Sequence, residues 1–348
     1  MKAAVLYGVG DLRYEEIENP EIKPDEVKIK VHVCGICGSD TSRIFKKWKY
    51  PLPAILGHEF SGDIVEIGKD VKGFKIGDRV TGAPLIPCEE CEFCKKGQFS
   101  LCENHGMIGA KTFGAFAQYV NLKATNVFHI GDMDYEEAAM IEPLAVALHA
   151  ILDMKPQIGD KVAVLGCGAL GQYVIQWLKI TGTAEIIAVD ISEKKLNDVK
   201  KLGADIVINA SEENVIDRIK ELTDGRGVDI AVECAGSKIT QEQCLLITKK
   251  RGHIGYLGIA YSDITLSETA FEGIFRKELT LKGYWNSYSA PFPGKEWLES
   301  IEYINQRRLK LKEMISHKFP LKDTMKAFEM IKNRKEEYNK VYIYPWEE

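Results

Sequence analysis

A glycine-rich turn constrains the fold of this chain more than any other sequence feature. The residues Gly166-Cys167-Gly168-Ala169-Leu170-Gly171 follow the apolar segment 162–165 directly and lead into a helical pattern. In such a strand–turn–helix unit the first glycine allows a tight turn, the second lets the backbone approach a pyrophosphate, and the third lets helix and strand pack closely. Free N–H groups at the start of the helix then face the phosphates. We therefore expect a dinucleotide to bind at Gly166, Gly168, Leu170 and Gly171.

The sequence around this turn alternates apolar strands with helical stretches. Strand patterns occur at residues 162–165, 186–189, 206–208, 228–232 and 254–257. Strands that alternate with helices of about 10 to 15 residues are typical of a parallel, doubly wound sheet. The alternative is an α/β domain whose glycine turn is purely structural and binds no dinucleotide.

The second strand of this region ends in an acidic residue, Asp190. A carboxylate at that point hydrogen-bonds the adenosine ribose 2′-OH and repels a 2′-phosphate, which predicts NAD rather than NADP. Asp190 could also be the N-cap of the following helix, a role compatible with ribose binding.

The N-terminal part of the chain has a different pattern. Apolar and polar residues alternate over 27–33, as in a half-buried strand, and glycine recurs densely from Gly35 to Gly82. One helix is predicted over 136–152. The last 55 residues predict helices over 296–307 and 323–334 and a strand over 341–344.

Four of the nine cysteines lie close together, at Cys88, Cys91, Cys94 and Cys102. Two-residue gaps let neighbouring thiolates wrap one ion, and four soft ligands in a tetrahedron suit Zn²⁺. An iron–sulfur cluster is an alternative, because four cysteines also serve that purpose. A closed four-cysteine site leaves no open coordination position, so we assign it to structure rather than to catalysis.

Composition and charge exclude several classes of function. The formal net charge is −5, and there is no long basic run to attract nucleic acid or an anionic membrane. No segment has 18 consecutive apolar residues, so we expect no membrane span. The N-terminal residues lack the apolar stretch of a secretory signal, and an odd cysteine count does not suggest a disulfide framework. The expected location is the cytoplasm.

A third set of motifs resembles a known family. Gly57-His58-Glu59-x2-Gly62-x5-Gly68 resembles the zinc signature of medium-chain dehydrogenases, and Cys37-Gly38-Ser39-Asp40 and Ile141-Glu142-Pro143 fit the same family. The cysteine cluster and the glycine turn occur in the family's order. The resemblance covers essentially the whole chain and is best for the sorbitol dehydrogenase branch.

This resemblance implies a fold and a division into domains. The expected fold is α/β, with a GroES-like β-rich catalytic domain and a Rossmann coenzyme domain. The catalytic domain would comprise residues 1–150, with a zinc lobe at 88–102, and residues 288–348; the coenzyme domain would comprise 151–287. The family also implies a homodimer or homotetramer, with a contact near the strand at 278–283.

The resemblance further implies roles for individual residues. Two zinc ions per chain are expected, one of them catalytic. Cys37 and His58 would bind the catalytic zinc, Glu59 would be a third ligand, and Glu142 would complete the shell or hold a zinc-bound water. Asp40 would orient His58, Ser39 would relay the alcohol proton, and Lys195 would meet the adenosine ribose.

Each of these residues also has a simpler interpretation. His58 could be a packed core histidine, and Cys37 could form a redox pair with Cys34. Ser39 and Asp40 could be turn formers, and Glu142 could mark a helix boundary.

A narrower resemblance concerns the substrate. Segments 43–46, 57–62, 276–280 and 285–297 are similar to members of the branch that act on sugar-alcohol phosphates. A tyrosine of the sorbitol dehydrogenase branch is replaced here by Arg43, and a guanidinium can hold a phosphate with two parallel hydrogen bonds. We therefore expect Arg43, assisted by Lys46, to bind a substrate phosphate; the alternative is a solvated basic patch.

The sequence thus predicts an NAD-linked, zinc-dependent oxidoreductase. The expected reaction oxidises a secondary hydroxyl of a polyol phosphate, such as galactitol 1-phosphate, to a ketose phosphate such as tagatose 6-phosphate. Alternative substrates within the family are free polyols such as sorbitol or xylitol, butanediol, threonine and arabitol phosphate. A catalytically silent binding protein of the same fold is the alternative outside enzymes.

Overall fold

The computed structural model describes residues 1–183, 185–260, 262–334 and 336–347. The chain divides into two compact units. The first unit consists of Met1–Glu142 and Tyr288–Glu348, and the second consists of Pro143–Ser287.

The first segment of the chain is rich in short strands. Its strands are β1 (Lys2–Gly8), β2 (Asp11–Glu16), β3 (Glu26–Gly35), β4 (Ala54–Ile55), β5 (Glu59–Ile67), β6 (Arg79–Gly82), β7 (Leu85–Ile86), β8 (Gly106–Met107), β9 (Tyr119–Lys123) and β10 (Val127–His129). Its helices are α1 (Gly38–Phe45), α2 (Glu92–Lys95), α3 (Tyr135–Ala138) and α4 (Ile141–Met154), which continues into the second unit.

The second unit alternates strands and helices. The strands are β11 (Lys161–Leu165), β12 (Glu185–Asp190), β13 (Ile206–Asn209), β14 (Val228–Glu233), β15 (Thr248–Tyr256) and β16 (Thr280–Gly283). The helices are α5 (Ala169–Thr181), α6 (Glu193–Leu202), α7 (Val215–Leu222), α8 (Lys238–Ile247) and α9 (Glu268–Arg276).

The chain then returns to the first unit. This segment contains α10 (Lys295–Asn305), β17 (Ile315–Pro320), α11 (Thr324–Asn333) and β18 (Lys340–Tyr344). Short 3₁₀ turns occur at Phe99–Leu101, Ala124–Asn126, Lys312–Met314 and Leu321–Asp323.

The first unit is built around a seven-stranded sheet. Its order is β10-β6-β5-β3-β18-β17, with β9 also paired to β3; a three-stranded sheet, β2-β1-β4, and the pair β7-β8 accompany it. Val27, Ile29 and Val31 point to one side of β3 and are fully buried, as the alternating pattern predicts. The candidate metal ligands lie where these central strands meet: Cys37 follows the end of β3, His58 precedes β5, and Glu59 is the first residue of β5.

The second unit contains one six-stranded parallel sheet in the order β13-β12-β11-β14-β15-β16. This is the doubly wound order, in which the chain starts at the centre and winds outwards in both directions. Ala163, Leu165, Ile187 and Ala231 form part of its buried core. The predicted α/β fold class is confirmed.

The structure divides one predicted helix into two. The pattern over 136–152 predicted a single helix, but α3 ends at Ala138 and α4 begins at Ile141. Pro143 has no N–H to donate to the preceding turn, so it fits only in the first turn of a helix, where that donor is not needed. The helix therefore starts anew just before this proline.

Among the helices of the described residues, none is long and apolar enough to cross a membrane.

Candidate active site

Antiparallel pairing of β3 and β5 brings three potential ligands together. Gly35 at the end of β3 lies opposite Glu59 at the start of β5, so Cys37 lies next to His58 and Glu59. One ligand atom from each of Cys37, His58 and Glu59 lies within 4.8 Å of the other two. Thiolate sulfur, imidazole nitrogen and carboxylate oxygen are the usual ligands of Zn²⁺, each at about 2.0–2.3 Å, so three such atoms grouped this closely can share one ion. The spacing of this group, hereafter the catalytic cluster, therefore fits a single zinc ion.

The catalytic cluster buries groups whose ionised forms a cation would stabilise. His58 and Glu59 are 3% and 2% exposed. Burial raises the pKa of the Cys37 thiol, with a further contribution from the Glu59 carboxylate. A bound divalent cation would offset both effects, because it favours the thiolate and neutralises the carboxylate.

Glu142 lies outside this group of three but close to it. It occupies the first turn of α4 and is 6% exposed. Burial raises its pKa to about 7, while the nearby His58 opposes the rise. This position is compatible with either role that the family resemblance implies for Glu142.

Asp40 and Arg43 form a partly buried pair beside His58. Arg43 Nη1 donates a 3.0 Å hydrogen bond to Asp40 Oδ1 within α1, and Asp40 is completely buried. His58 Nδ1 lies 3.8 Å from the same oxygen, which is longer than a hydrogen bond. Asp40 is therefore placed next to His58, as predicted, but one N–H group of Arg43 is already occupied by a carboxylate.

Ser39 contacts Cys37 directly. Its hydroxyl donates to Cys37 Sγ at 3.2 Å, and the residue is partly exposed. Lys46, the other residue predicted to contact a substrate phosphate, is exposed at the C-terminal end of α1.

One partner of the catalytic cluster was not predicted from the sequence. Lys340 Nζ forms an ion pair with Glu59 Oε2, and Lys340 is only 3% exposed. The pairing of β18 with β3 places Lys340 there, because Tyr342 lies opposite Gly35. The sequence carries only a faint signal of this contact, a lysine that opens an apolar strand.

The four clustered cysteines also come together. One sulfur atom from each of Cys88, Cys91, Cys94 and Cys102 lies within 4.8 Å of the other three. The backbone N–H groups of Cys88 and Cys91 donate to Cys102 Sγ and Cys88 Sγ at 3.3 and 3.4 Å. Backbone hydrogen bonds lower the pKa of Cys91 to about 6, and burial raises that of Cys94 to about 12. We call this group the four-cysteine cluster; its donor set and spacing fit a tetrahedral zinc ion.

The glycine turn has the geometry that its sequence predicts. Gly166 has φ +100°, a left-handed conformation that favours glycine. A side chain at Gly171 would lie 1.9 Å from the Gly166 carbonyl oxygen, whereas one at Gly168 would meet open space. The turn is therefore tight at Gly171, where helix and strand pack, and open at Gly168, where a ligand would approach. The neighbouring Leu170 is partly exposed.

Asp190 ends β12 beside this turn. Its two carboxylate oxygens accept hydrogen bonds from Cys167 N at 2.7 Å and Ser192 N at 3.0 Å. The N-cap of α6 is Ser192, whose side chain accepts from Lys195 N, so the interpretation of Asp190 as that cap is wrong. The structure places Asp190 and the glycine turn together, and it places Lys195 in the first turn of α6.

The fold and the two clusters define a class of protein. A β-rich unit with two zinc-type ligand sets, joined to a doubly wound unit with a dinucleotide-type turn, is the construction of a zinc-binding, nicotinamide-dependent dehydrogenase.

Comparisons with known proteins agree with this class. The alcohol dehydrogenase GroES-like domain matches residues 23–132, and the zinc-binding dehydrogenase domain matches residues 169–303. Galactitol 1-phosphate 5-dehydrogenase of Escherichia coli K12 is 37% identical over 320 residues, which cover 91% of this chain and 92% of that protein. Sorbitol dehydrogenase of Bacillus subtilis is 34% identical over 359 residues, covering 99% and 97%.

A solved structure shows the same relationship. The crystal structure of galactitol-1-phosphate dehydrogenase from Escherichia coli matches with a TM-score of 0.93 and 36% identity, covering 99% of this chain and all of that one. The chain belongs to the zinc-binding medium-chain alcohol dehydrogenases. It is an oxidoreductase that uses zinc and a nicotinamide dinucleotide and acts on a small-molecule alcohol or polyol.

Proposed function

We propose that this dehydrogenase oxidises a secondary hydroxyl of a polyol phosphate, with NAD as the hydride acceptor. The expected substrate resembles galactitol 1-phosphate, and the product would be a ketose phosphate such as tagatose 6-phosphate. The catalytic cluster carries the chemistry of this proposal, since Cys37, His58 and Glu59 lie within 4.8 Å of one another. The similarity to galactitol 1-phosphate 5-dehydrogenase supports the choice of substrate.

In this proposal the catalytic cluster holds one zinc ion. Cys37, His58 and Glu59 supply a thiolate, an imidazole and a carboxylate, and Glu142, which lies outside this group of three but near it, would complete the shell or hold a zinc-bound water. When bound, zinc would act as a Lewis acid that lowers the pKa of a substrate hydroxyl. Asp40, held by Arg43, would keep the imidazole of His58 in its binding orientation.

Ser39 would carry the proton away from the substrate. Its hydroxyl donates to the Cys37 sulfur and is partly exposed, so it lies between a metal ligand and solvent. A hydroxyl can accept one proton and donate another in the same relay. Ser39→Ala should therefore slow turnover more than it weakens substrate binding.

The second unit would bind NAD by its glycine turn. The phosphates would meet the N–H groups at the start of α5, next to Gly166, Gly168 and Gly171. Each carboxylate oxygen of Asp190 accepts one backbone hydrogen bond and keeps capacity for a ribose hydroxyl. Lys195 would lie near the adenosine ribose. The carboxylate would repel the extra phosphate of NADP.

Arg43 and Lys46 are the proposed contacts for the substrate phosphate. Arg43 uses one N–H group for Asp40, and the remaining donors of the guanidinium suit a phosphate. Lys46 is exposed one turn further along and would add a second positive charge.

The four-cysteine cluster would hold a second zinc ion with a structural role. Four thiolates complete a tetrahedron, so no position is left for substrate. We also propose a homo-oligomer, dimer or tetramer, with β16 at the contact. All four residues of this strand, Thr280–Gly283, are exposed at the edge of the sheet, and an exposed edge strand is a template for pairing with another chain.

The decisive experiment measures reduction of NAD and NADP across galactitol 1-phosphate, galactitol, sorbitol, xylitol, butanediol, threonine and arabitol phosphate, with and without a chelator. The proposal expects the highest kcat/KM with NAD and a polyol phosphate, and loss of activity with chelator. A preference for sorbitol would favour the sorbitol dehydrogenase relative as the guide to function. Absence of any turnover in zinc-loaded protein would favour a silent binding protein.

Two lysines give a matched test of the phosphate contact. Lys46→Ala should lower kcat/KM for the phosphorylated substrate more than for the free polyol, whereas Lys47→Ala, at the next exposed position, should leave the ratio unchanged. Arg43→Ala also disturbs Asp40, so its effect must be judged by the ratio of kcat/KM for the phosphorylated substrate to kcat/KM for the free polyol. Equal losses on both substrates in Lys46→Ala and Arg43→Ala would refute the phosphate contact.

A further inference from the structure

A buried glutamate, Glu233, lies at the carboxyl-terminal edge of the parallel sheet in the second unit, where β11, β14 and β15 end. Glu233 is the last residue of β14 and is 0% exposed. A carboxyl group is almost never fully buried unless other groups hold it in place. Its contacts therefore indicate which parts of the fold depend on it.

One carboxylate oxygen of Glu233 accepts three hydrogen bonds from the segment that follows β14. Glu233 Oε1 accepts hydrogen bonds from Ala235 N at 3.0 Å, Gly236 N at 2.9 Å and Thr240 Oγ1 at 2.6 Å. Thr240 lies in the first turn of α8. The loop 234–237 is thus folded around this side chain.

The same residue holds the loop that follows β15. The carbonyl oxygen of Glu233 accepts from Leu257 N at 2.9 Å and Gly258 N at 3.0 Å. A side chain at Gly258 would lie 2.4 Å from Glu233 Oε2 and 2.3 Å from Gly236 N. The two loops are therefore in backbone contact, and Glu233 Oε2 fills the gap without a hydrogen-bond partner among the described residues.

The loop around Glu233 also packs on the glycine turn. Cys234 N donates to Leu165 O at 2.8 Å, and a side chain at Gly166 would lie 2.7 Å from Ala235 N. The switch point of the sheet, where ligands of doubly wound folds bind, lies between β11 and β14. Asp190, on β12, marks the adenosine side, so the nicotinamide half would lie on the side of β14 and β15.

We infer that Glu233 is a positioning residue for the dinucleotide. By holding loops 234–237 and 257–258 against Gly166, it shapes the surface that receives the nicotinamide half, without touching the coenzyme itself. This inference rests on the proposed coenzyme site at the glycine turn.

Two substitutions of Glu233 separate hydrogen bonding from charge. Glu233→Gln keeps an oxygen that can accept the same three bonds, whereas Glu233→Ala removes it. Glutamine has the length and shape of glutamate, so its amide oxygen can take the place of Oε1 while the charge is removed. We expect Glu233→Ala to raise the Kd for NADH and the KM for NAD at least about tenfold, and Glu233→Gln to stay within about threefold.

Asp229 gives a matched control on the same strand. It lies at the opposite end of β14, where it accepts from Lys161 N at 2.9 Å and pairs with Lys249. Asp229→Ala should lower thermal stability but leave the Kd for NADH unchanged. NADH binding is measured by fluorescence titration of the zinc-loaded, full-length protein, with thermal unfolding and zinc content recorded for each variant.

The outcomes are distinct. The inference is overturned if Glu233→Ala binds NADH like the unmodified protein, if Asp229→Ala weakens binding equally, or if Glu233→Gln fails as badly as Glu233→Ala. If the unmodified protein does not bind NADH, the proposed coenzyme site itself fails. Should Glu233→Ala not fold, Gly258→Ala tests the same contact, because the added methyl group must push the two loops apart; it should weaken NADH binding, and unchanged binding would overturn the inference.

Discussion

The first unit holds two clusters of potential metal ligands that are assembled in different ways. The four-cysteine cluster comes from one short stretch, between positions 88 and 102. The catalytic cluster depends on the pairing of β3 with β5, and its Glu59 is paired with Lys340, which is 281 residues away along the chain.

Their surroundings differ as well. Cys88 and Cys91 are partly exposed, and backbone N–H groups donate to the sulfurs of their cluster. His58, Glu59, Asp40 and Lys340 are buried. The four-cysteine cluster is assembled locally, so its loop and its ion are enough to form it. The catalytic cluster brings buried charged groups together from distant strands, so its stability also depends on the balance between those charges. Loss of the ion should therefore have different consequences at the two sites.

Substitution of Cys37 in the catalytic cluster should have the largest effect on turnover. Cys37→Ala should lower kcat/KM about a thousandfold, because Lewis-acid stabilisation is worth several kcal/mol and each 1.36 kcal/mol is a factor of ten. Zinc content should fall by about one ion per chain. Steady-state kinetics and elemental analysis measure both, and retained activity with a full zinc content would remove Cys37 from the ligand set.

Replacement of Lys340 should show that the stability of the catalytic cluster depends on the balance of its buried charges. Lys340→Met leaves Glu59 buried without its cation, which should cost about 3 kcal/mol of stability in the zinc-free protein. With zinc bound the cost should be smaller, because the ion neutralises Glu59. Chemical unfolding with and without chelator measures this difference, and Lys340→Arg should restore stability. An equal loss in both states would contradict a link between Lys340 and the metal.

Removal of the negative charge of Asp40 next to His58 should have a moderate effect on turnover. Asp40→Asn should lower kcat/KM about tenfold, as is typical for residues that orient a metal ligand. Asp63→Asn is the matched control, because Asp63 also lies on the central sheet but bonds to His32 and Tyr135. If both variants lose the same activity, Asp40 has no specific role at His58.

Disruption of the four-cysteine cluster should have the smallest effect on turnover. Cys94→Ser should remove about one zinc ion per chain and make the segment 88–102 sensitive to protease, because the metal holds that loop. The initial kcat/KM should fall less than about threefold, since no substrate position exists there. Limited proteolysis and kinetics on the same sample test this, and a loss comparable to that of Cys37→Ala would erase the distinction between the clusters.

The sequence predicted features whose determinants are local. The glycine turn, the strands on either side of it and the cysteine spacing are each encoded within short segments, and the doubly wound sheet follows from their alternation. The resemblance to medium-chain dehydrogenases then located Cys37, His58 and Glu59, and the family is confirmed.

Contacts between distant segments could not be predicted. Lys340 reaches Glu59 only because β18 pairs with β3, and no local pattern encodes that pairing. Arg43 was predicted to face a phosphate, but its position on α1 also brings it to Asp40 three residues earlier. Glu233 shows no signal beyond its place at the end of an apolar strand, because its partners belong to two separate loops.

The central claim is that this chain holds a zinc ion between Cys37, His58 and Glu59, separate from the four-cysteine site. Crystal diffraction measured on both sides of the zinc absorption edge tests this directly. We predict two anomalous peaks per chain, one within zinc-bond distance of Cys37 Sγ and one among Cys88, Cys91, Cys94 and Cys102. A peak at the four cysteines alone, in fully active protein, would contradict the account.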